Sequence, residues 1–188
     1  YRNQVSSGTI MVGEDIADPY GGAFKVTKGI QTDFPENVIS TPISEAAITG
    51  LSIGLSVSGI STYVEIMFGD FITNSTDQII NNACKFYHMY GHKISAPVKV
   101  RAAMGGYRGY GPTHSQSLEK MFLGSENLAV VAPTSLINPG PLIDNVEKLL
   151  GPVLIVENKA DYTAKLWSGS QGLETSITGG NFGTIEVK

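Results

Sequence analysis

T-P-I-S-E, Thr41 to Glu45, separates two segments of different character. Before it, a short apolar run ends in Val38 and Ile39 and reads as a strand. After it, Ala46 to Gly59 is a long run of small and apolar residues that reads as a buried helix. A carboxylate, Glu45, therefore falls where a strand gives way to a helix N-terminus. In open α/β sheets ligands bind just beyond the carboxyl ends of the strands, so Glu45 is a candidate for chemistry. The position also suits a purely structural role. An acidic residue in a first helical turn faces the positive end of the helix dipole, and Thr41 or Ser44 can cap the same helix.

Outward from this junction the alternation repeats. Thr9 to Val12 reads as a strand after a ragged start at residues 1–8, followed by G-E-D (Gly13 to Asp15) and a turn over Asp18 to Gly22. Ala23 to Phe34 has amphipathic spacing and is expected to be a helix, ended by Pro35. The helix of Ser44 to Ser58 is apolar nearly all round, which predicts burial on several sides. Gly50 and Gly54 flatten one of its faces, for an internal contact or, as we favour, a subunit interface. Ser61 to Met67 reads as a strand running into M-F-G-D-F (Met67 to Phe71), and Asp77 to Tyr90 as one long helix stopped at Gly91. Val98 to Ala103 is the next strand. Met104 to Gln116, with four glycines, a proline and two tyrosines, is a long loop at another strand end and is expected to be functional, with Gly105 to Thr113 mobile in the chain alone. Ser115 to Leu123 and Leu142 to Leu150 read as helices, Leu128 to Ala132 and Val153 to Val156 as strands. Strands alternating with helices imply α/β architecture: a three-layer sandwich with a mainly parallel sheet. Residues 1–167 then form one domain. Residues 168–188 read as a Gly/Ser/Thr-rich linker over Ser168 to Gly180, with Thr184 to Val187 starting a further domain.

The 188 residues carry 41% apolar and 16% charged side chains, enough for a full core and too few charges for disorder. A net charge of −4 gives no reason to expect nucleic acid or an anionic membrane as partner. No apolar run is long enough to span a bilayer, and no signal peptide is visible. The one cysteine, Cys84, fits a reducing compartment and reads as a small buried hydrophobe.

Three candidate elements share the rim: Glu45, the Met67 to Phe71 turn and the loop ending in His114. A carboxylate, an aromatic and a histidine converging at strand ends make a small-molecule constellation. Singly, Phe71 is as well explained by the core, and His114 by the start of a helix. Other chemistries fit less well. G-Y-R-G-Y-G lacks the G-K-[ST] of a phosphate loop and the spacing of a dinucleotide fingerprint. His88 and His92 are four apart but without H-E-x-x-H, and read as surface residues rather than metal ligands. No G-x-S-x-G stands at a strand-to-helix turn.

G-E-D-I, G-G-A-F-K-V-T-K-G, T-P-I-S-E, E-I-M-F-G-D-F, D-Q-I-I-N-N-A and G-P-T-H-S-Q, in this order, resemble the β subunit of thiamine diphosphate-dependent 2-oxo acid dehydrogenase E1 components. The resemblance covers residues 10 to 165 and matches the pyrimidine-binding, transketolase-like domain. It implies an oxidative decarboxylation of pyruvate or a branched-chain 2-oxo acid, with acyl transfer to lipoamide. E-I-M-F-G-D-F is closer to the branched-chain branch. By the same resemblance Glu45 hydrogen-bonds the cofactor's aminopyrimidine ring, favouring the tautomer that removes the cofactor's own C2 proton. Phe71 stacks on the pyrimidine, Met67 adjoins it, and His114 serves substrate and acyl transfer.

The resemblance also implies partners. They are an E1 α-type subunit or domain carrying the diphosphate and Mg2+ site (G-D-G followed by N-N, absent from this sequence), a second E1 β-type chain, and the lipoyl domain of the E2 acyltransferase. The expected compartment is the cytoplasm, or the mitochondrial matrix in a eukaryote. Leu149 stands where some members hold a potassium ion through an aspartate, so that ligand is missing here. Two other readings stay open: a transketolase-type or other thiamine-dependent domain, and a non-catalytic assembly domain. Half a cofactor site predicts no useful thiamine diphosphate binding and no activity by this chain alone.

Overall fold

Six strands form one parallel sheet: β1 (Ile10–Glu14), β2 (Val38–Thr41), β3 (Thr62–Ile66), β4 (Lys99–Met104), β5 (Ala129–Val131) and β6 (Val153–Asn158). Their order is β2-β1-β3-β4-β6-β5 in a computed structural model that describes residues 1–166, 175–178 and 184–187. The central strands β3 and β4 are buried at every residue, as expected of a sheet covered on both faces. One face packs Val64, Ile66, Val100, Ala102 and Leu154 against the helix α3 (Glu45–Val57) through Ile48 and Ile53. The other packs Met11, Tyr63, Val153 and Ile155 against α1 (Arg2–Ser6) through Val5 and against α5 (Gly140–Val146) through Ile143 and Val146. This is the three-layer α/β sandwich with a parallel sheet that the alternation predicts. The chain reverses direction across the sheet between β1 and β3, the place where doubly wound sheets open a crevice at their carboxyl ends.

β1 and β3 approach so closely that a Cβ on Gly13 would stand 2.6 Å from Cβ of Glu65 and 3.0 Å from its carbonyl oxygen. Only glycine fits there.

Several local expectations are corrected. The ragged start contains α1. The helix expected over Ala23 to Phe34 is a series of turns ending in a short helix α2 (Ile30–Asp33). Lys25 at φ 63° and Gly29 at φ 81° break it. The Asp18 carboxylate then accepts from Gly29 N at 2.6 Å and Thr32 N at 2.8 Å, fixing where α2 begins. Asp77 to Tyr90 is helical but not one α-helix. A π segment, Gln78–Ala83, with the long-step bond Cys84 N to Ile79 O at 3.0 Å, precedes α4 (Phe86–Met89).

Ser115 to Leu123 holds only a 3-10 turn, Glu119–Met121. The carbonyl of Gln116 accepts from Gly105 N (3.0 Å) and its amide and side chain donate to Asp70, which ties this residue to the loop and to the 3-10 helix after β3. Helix α3 buries one face rather than several: Leu51 is 48% exposed, and a Cβ on Gly54 would meet nothing within 4 Å. Gly50 does make an internal contact, facing the Gln78 side chain.

Thr184–Val187 is a strand, as read, and pairs antiparallel with Thr175–Thr178, a second strand inside the stretch read as linker. The remainder of that linker, with Trp167, lies outside the described residues.

Candidate functional site

Glu45 opens α3, with Ser44 as its N-cap residue, and is 8% exposed. Its backbone carbonyl accepts from Ser75 Oγ at 3.0 Å, and Ser75 Oγ in turn accepts from Thr49 Oγ1 at 2.8 Å. These buried bonds lock the start of α3 onto the 3-10 helix Gly69–Ser75 that leaves β3. The same 3-10 helix supplies Asn74, whose Nδ2 donates to Glu45 Oε2 at 3.2 Å. A helix N-terminus, an amide donor and burial thus hold this carboxyl in one place.

Beside it stands Glu14, which the sequence reading did not single out. It ends β1, is 4% exposed, and its Oε2 has no hydrogen-bond partner. In register with it is Thr41 of β2, whose buried Oγ1 is equally unpartnered. Burial, then the nearby Glu45 and Asp15 charges, push the Glu14 carboxyl above the ordinary carboxylate range. The available signal was the G-E-D segment itself: an acid at a strand end, directly after a glycine.

Phe71 and His114 are brought together as expected. The Phe71 ring meets the His114 ring edge-on at 5.1 Å, and Phe68 meets it at 4.7 Å. Tyr110 and Phe24 pack on Phe68 at 5.4 and 5.5 Å, and Tyr162 stacks on Phe24 at 5.1 Å. Met67 is half-buried one residue past β3 and takes no part in this ring cluster. Glu45 joins the cluster only through the shared 3-10 helix: Asn74 holds its carboxylate and Phe71 faces the histidine.

The Met104 to Gln116 loop is fastened at several points. Gln116 donates to Asp70 Oδ1 from Nε2 (2.8 Å) and from its backbone N (3.3 Å). Arg108 reaches Thr163 Oγ1 at 3.3 Å, while Tyr107 is wholly exposed. Thr113 Oγ1 and His114 Nδ1 share a hydrogen bond of 2.9 Å. Lys159, just past β6, is fully buried and donates to the His114 carbonyl. Burial lowers its pKa, and the Asp70 carboxylate works in the opposite direction.

A second set of buried charges spans the sheet. Arg101 of β4, 1% exposed, lies between Glu65 of β3 and Glu157 of β6 and pairs with both. Tyr1 and Tyr162 also bond Glu157. Burial alone would raise the Glu157 carboxyl, but Arg101 more than offsets this and holds it below the ordinary range. Burial likewise works against the Arg101 cation, yet Glu157 and the tyrosines leave its pKa raised.

A cavity of about 410 Å3 lies elsewhere, between α1, α5 and the segment after β6, with Glu157 and Tyr162 in its wall. It contains neither Glu45 nor His114. The ring wall and carboxyl pair, rather than cavity size, mark the rim as the candidate site. His88 and His92 are exposed, as read. Their rings share a hydrogen bond of 2.9 Å, and Glu126 bonds His88. Cys84 is buried, and burial pushes its thiol up to about 11. Among the described residues no three His, Cys, Asp or Glu side chains converge as a metal site, and no helix is long and apolar enough to cross a membrane.

Residues 3–165 match the transketolase pyrimidine-binding domain. The chain is 36% identical over 163 residues to the β subunit of acetoin:2,6-dichlorophenolindophenol oxidoreductase from Cupriavidus necator, covering 81% of this chain and 48% of that one. It is 35% identical over 157 residues to the β subunit of 2-oxoisovalerate dehydrogenase from Bacillus subtilis (83% and 48%). It is 32% identical over 168 residues to the mitochondrial pyruvate dehydrogenase E1 component subunit beta-1 from Arabidopsis thaliana (89% and 46%). It thus spans about half the length of these relatives. A solved split-gene transketolase, in an inactive β4 tetramer, superposes with a TM-score of 0.66 over 93% of this chain and 53% of that chain, at 21% identity, which speaks for the fold. With the match running from α1 to the segment after β6, the chain belongs to the transketolase pyrimidine-binding domain family, and its sequence relatives include β subunits of 2-oxo acid dehydrogenase E1 components.

Proposed function

We propose that this chain is the pyrimidine half-site of a thiamine diphosphate-dependent 2-oxo acid dehydrogenase, acting as its E1 β-type part. The observation that carries the reading is Glu45: a buried carboxyl at a helix N-terminus, bonded by Asn74 of the 3-10 helix that also carries Phe71 to the aromatic cluster of the rim. The residues present suit an aminopyrimidine. Glu45 faces its ring nitrogen, Phe71 offers a stacking face, and Met67 adds an apolar contact. Burial and the neighbouring charges, Glu45 among them, raise the Glu14 pKa, so a second full negative charge beside Glu45 is disfavoured.

When bound, thiamine diphosphate supplies an electron sink for the carbanion left as a 2-oxo acid loses CO2. This chain's part is to hold the ring, keep the Glu45 carboxyl against it, and bring His114 to the side where substrate and lipoamide enter.

The diphosphate and its Mg2+ belong, in this reading, to an E1 α-type subunit or domain. The exposed Leu51 and Ile43, with the open surface at Gly54, support self-association with a second E1 β-type chain. The lipoyl domain of an E2 acyltransferase is the acyl acceptor, and the compartment is the cytoplasm, or the mitochondrial matrix in a eukaryote. The 2-oxo acid dehydrogenase relatives favour this reading over a transketolase-type one.

The test is Glu45→Gln in the protein assembled with its α-type partner. Exchange of the cofactor's C2 proton should fall at least about 100-fold, the scale of losing a proton-transfer group, with the melting temperature little changed. Exchange near the wild-type rate would overturn the assignment. Calorimetry on the chain alone, with thiamine diphosphate and Mg2+, adds a second check. One charged hydrogen bond of about 1–3 kcal/mol and one ring contact of about 1 kcal/mol give millimolar affinity at best. A low-micromolar dissociation constant would reveal a diphosphate site in this chain and refute the half-site reading.

A further inference from the structure

A lysine without any exposed surface, outside the sheet's main ion cluster, is an expensive side chain to retain. Lys159 is such a residue. Its backbone N donates to the carbonyl of Met104 at 2.9 Å, which pins it to the end of β4, where the Gly-rich loop departs. Its side chain then reaches across to the other end of that loop. Nζ lies 2.5 Å from the carbonyl oxygen of His114 and 5.2 Å from the centre of the Phe68 ring. Phe68 is one of the two rings that hold the His114 imidazole edge-on. Lys159 therefore touches both the backbone of His114 and a ring that clasps its side chain.

The carboxylate acting on this ammonium, Asp70, completes the arrangement. Asp70 grips Gln116 through both its backbone and its side chain. His114 is thus held by Lys159 two residues before Gln116 is held by Asp70. The residue between them, Ser115, links a cation-held carbonyl to an anion-held amide. In a loop whose glycines would otherwise leave many conformations open, this pair of opposite charges fixes the peptide that carries the histidine.

We propose that Lys159 is a positioning residue for His114, fixing the imidazole against Phe68 and Phe71 through the His114 carbonyl. This rests on the reading that His114 takes part in turnover. Lys159 itself has no surface through which to reach a substrate, so its effect on rate runs through the histidine.

The experiment is a double-mutant cycle in the full-length protein assembled with its partner. Its members are wild type, Lys159→Met, His114→Ala and the double variant, assayed for 2-oxo acid-dependent acyl transfer. Lys159→Met is expected to lower kcat at least about tenfold, because small misplacements of a reacting group cost that much or more, with KM for the 2-oxo acid little changed. In the His114→Ala background the same substitution should change kcat by less than about twofold, since its target is gone. A tenfold effect in both backgrounds, or full activity of a folded Lys159→Met, overturns the proposal. Should the Met variant not fold, Lys159→Gln, which keeps an amide donor, is put through the same cycle and the same two outcomes decide. A His114→Ala variant as active as wild type, or a wild type without thiamine-dependent activity, would instead refute the functional reading beneath it.

Discussion

Two sets of buried charges lie along one sheet, one across β3, β4 and β6 and the other at the end of β1 and the start of α3, and the fold treats them in opposite ways. Around Arg101, a cation sits between the carboxylates of Glu65 and Glu157, with two tyrosines closing on the second. Around Glu45, two carboxyls adjoin, Glu14 and Glu45, and one oxygen of Glu14 bonds nothing. The first set is spent almost wholly on the protein itself: both carboxylates pair with Arg101, and of its guanidinium only Nε is left without a hydrogen bond. The second retains bonding capacity for something that the chain does not contain. Buried polar groups are nearly always paired, so an unpaired carboxyl at a strand end points to a ligand more strongly than its burial does. The difference also shows in pH dependence. Glu157 has its pKa lowered, so it stabilises the fold above the unfolded value of 4.5, and that contribution is lost as pH falls through the lowered value. Glu14 has its pKa raised. Its contribution is present below 4.5 and is lost as pH rises through the raised value.

The contrast can be broken most forcefully at Arg101. Arg101→Met leaves two carboxylates buried without a counter-charge and should cost about 3–5 kcal/mol in urea unfolding at neutral pH. Replacing Glu65 and Glu157 by apolar residues in the same variant should recover most of it. A loss under about 1 kcal/mol would mean that the cluster is not structural.

Glu14→Gln tests the other side. Removing an ionisable group whose charged form is disfavoured should raise stability at pH 7 and leave it nearly unchanged at pH 4. A variant less stable than wild type at pH 7 would show that Glu14 is ionised and paired.

The smallest effect is expected at Asn74. It is exposed, so Asn74→Ala should stay within about 0.5 kcal/mol of wild type in stability. The Glu45 carboxyl then loses its one amide donor, and a modest drop in cofactor-dependent rate should appear with no shift in melting temperature. Equal losses in both would remove Asn74 from the site.

The strands and the rim were legible because they rest on patterns that neighbours in sequence can show. Val38 and Ile39 before Thr41, and Ala46 to Gly59 after it, place Glu45 without any knowledge of the sheet. What was not legible depends on distant partners. Ala23 to Phe34 has the spacing of a helix, yet Asp18 claims the amides at Gly29 and Thr32, and the backbone turns left-handed at Lys25. Phe24, at the start of that stretch, joins the ring wall beside Phe68. Arg101 and Lys159 look like surface charges in V-K-V-R-A-A-M and I-V-E-N-K. Only the sheet order, which sets β4 beside both β3 and β6, shows that there is no surface for them to reach. The 3-10 helix that couples Asn74 to Glu45 and Phe71 to His114 has no sequence signature of its own.

Gly13 shows that a position can tolerate no substitution for reasons unrelated to chemistry. Since any side chain there would collide with Glu65 across the strands, a scan of all amino acids at residue 13 should return glycine alone, as strict a preference as a reacting residue would give. The two kinds of strictness part company when the amount of folded protein is read beside activity. Substitutions at position 13 should deplete the protein, whereas substitutions at position 45 should leave it abundant and idle.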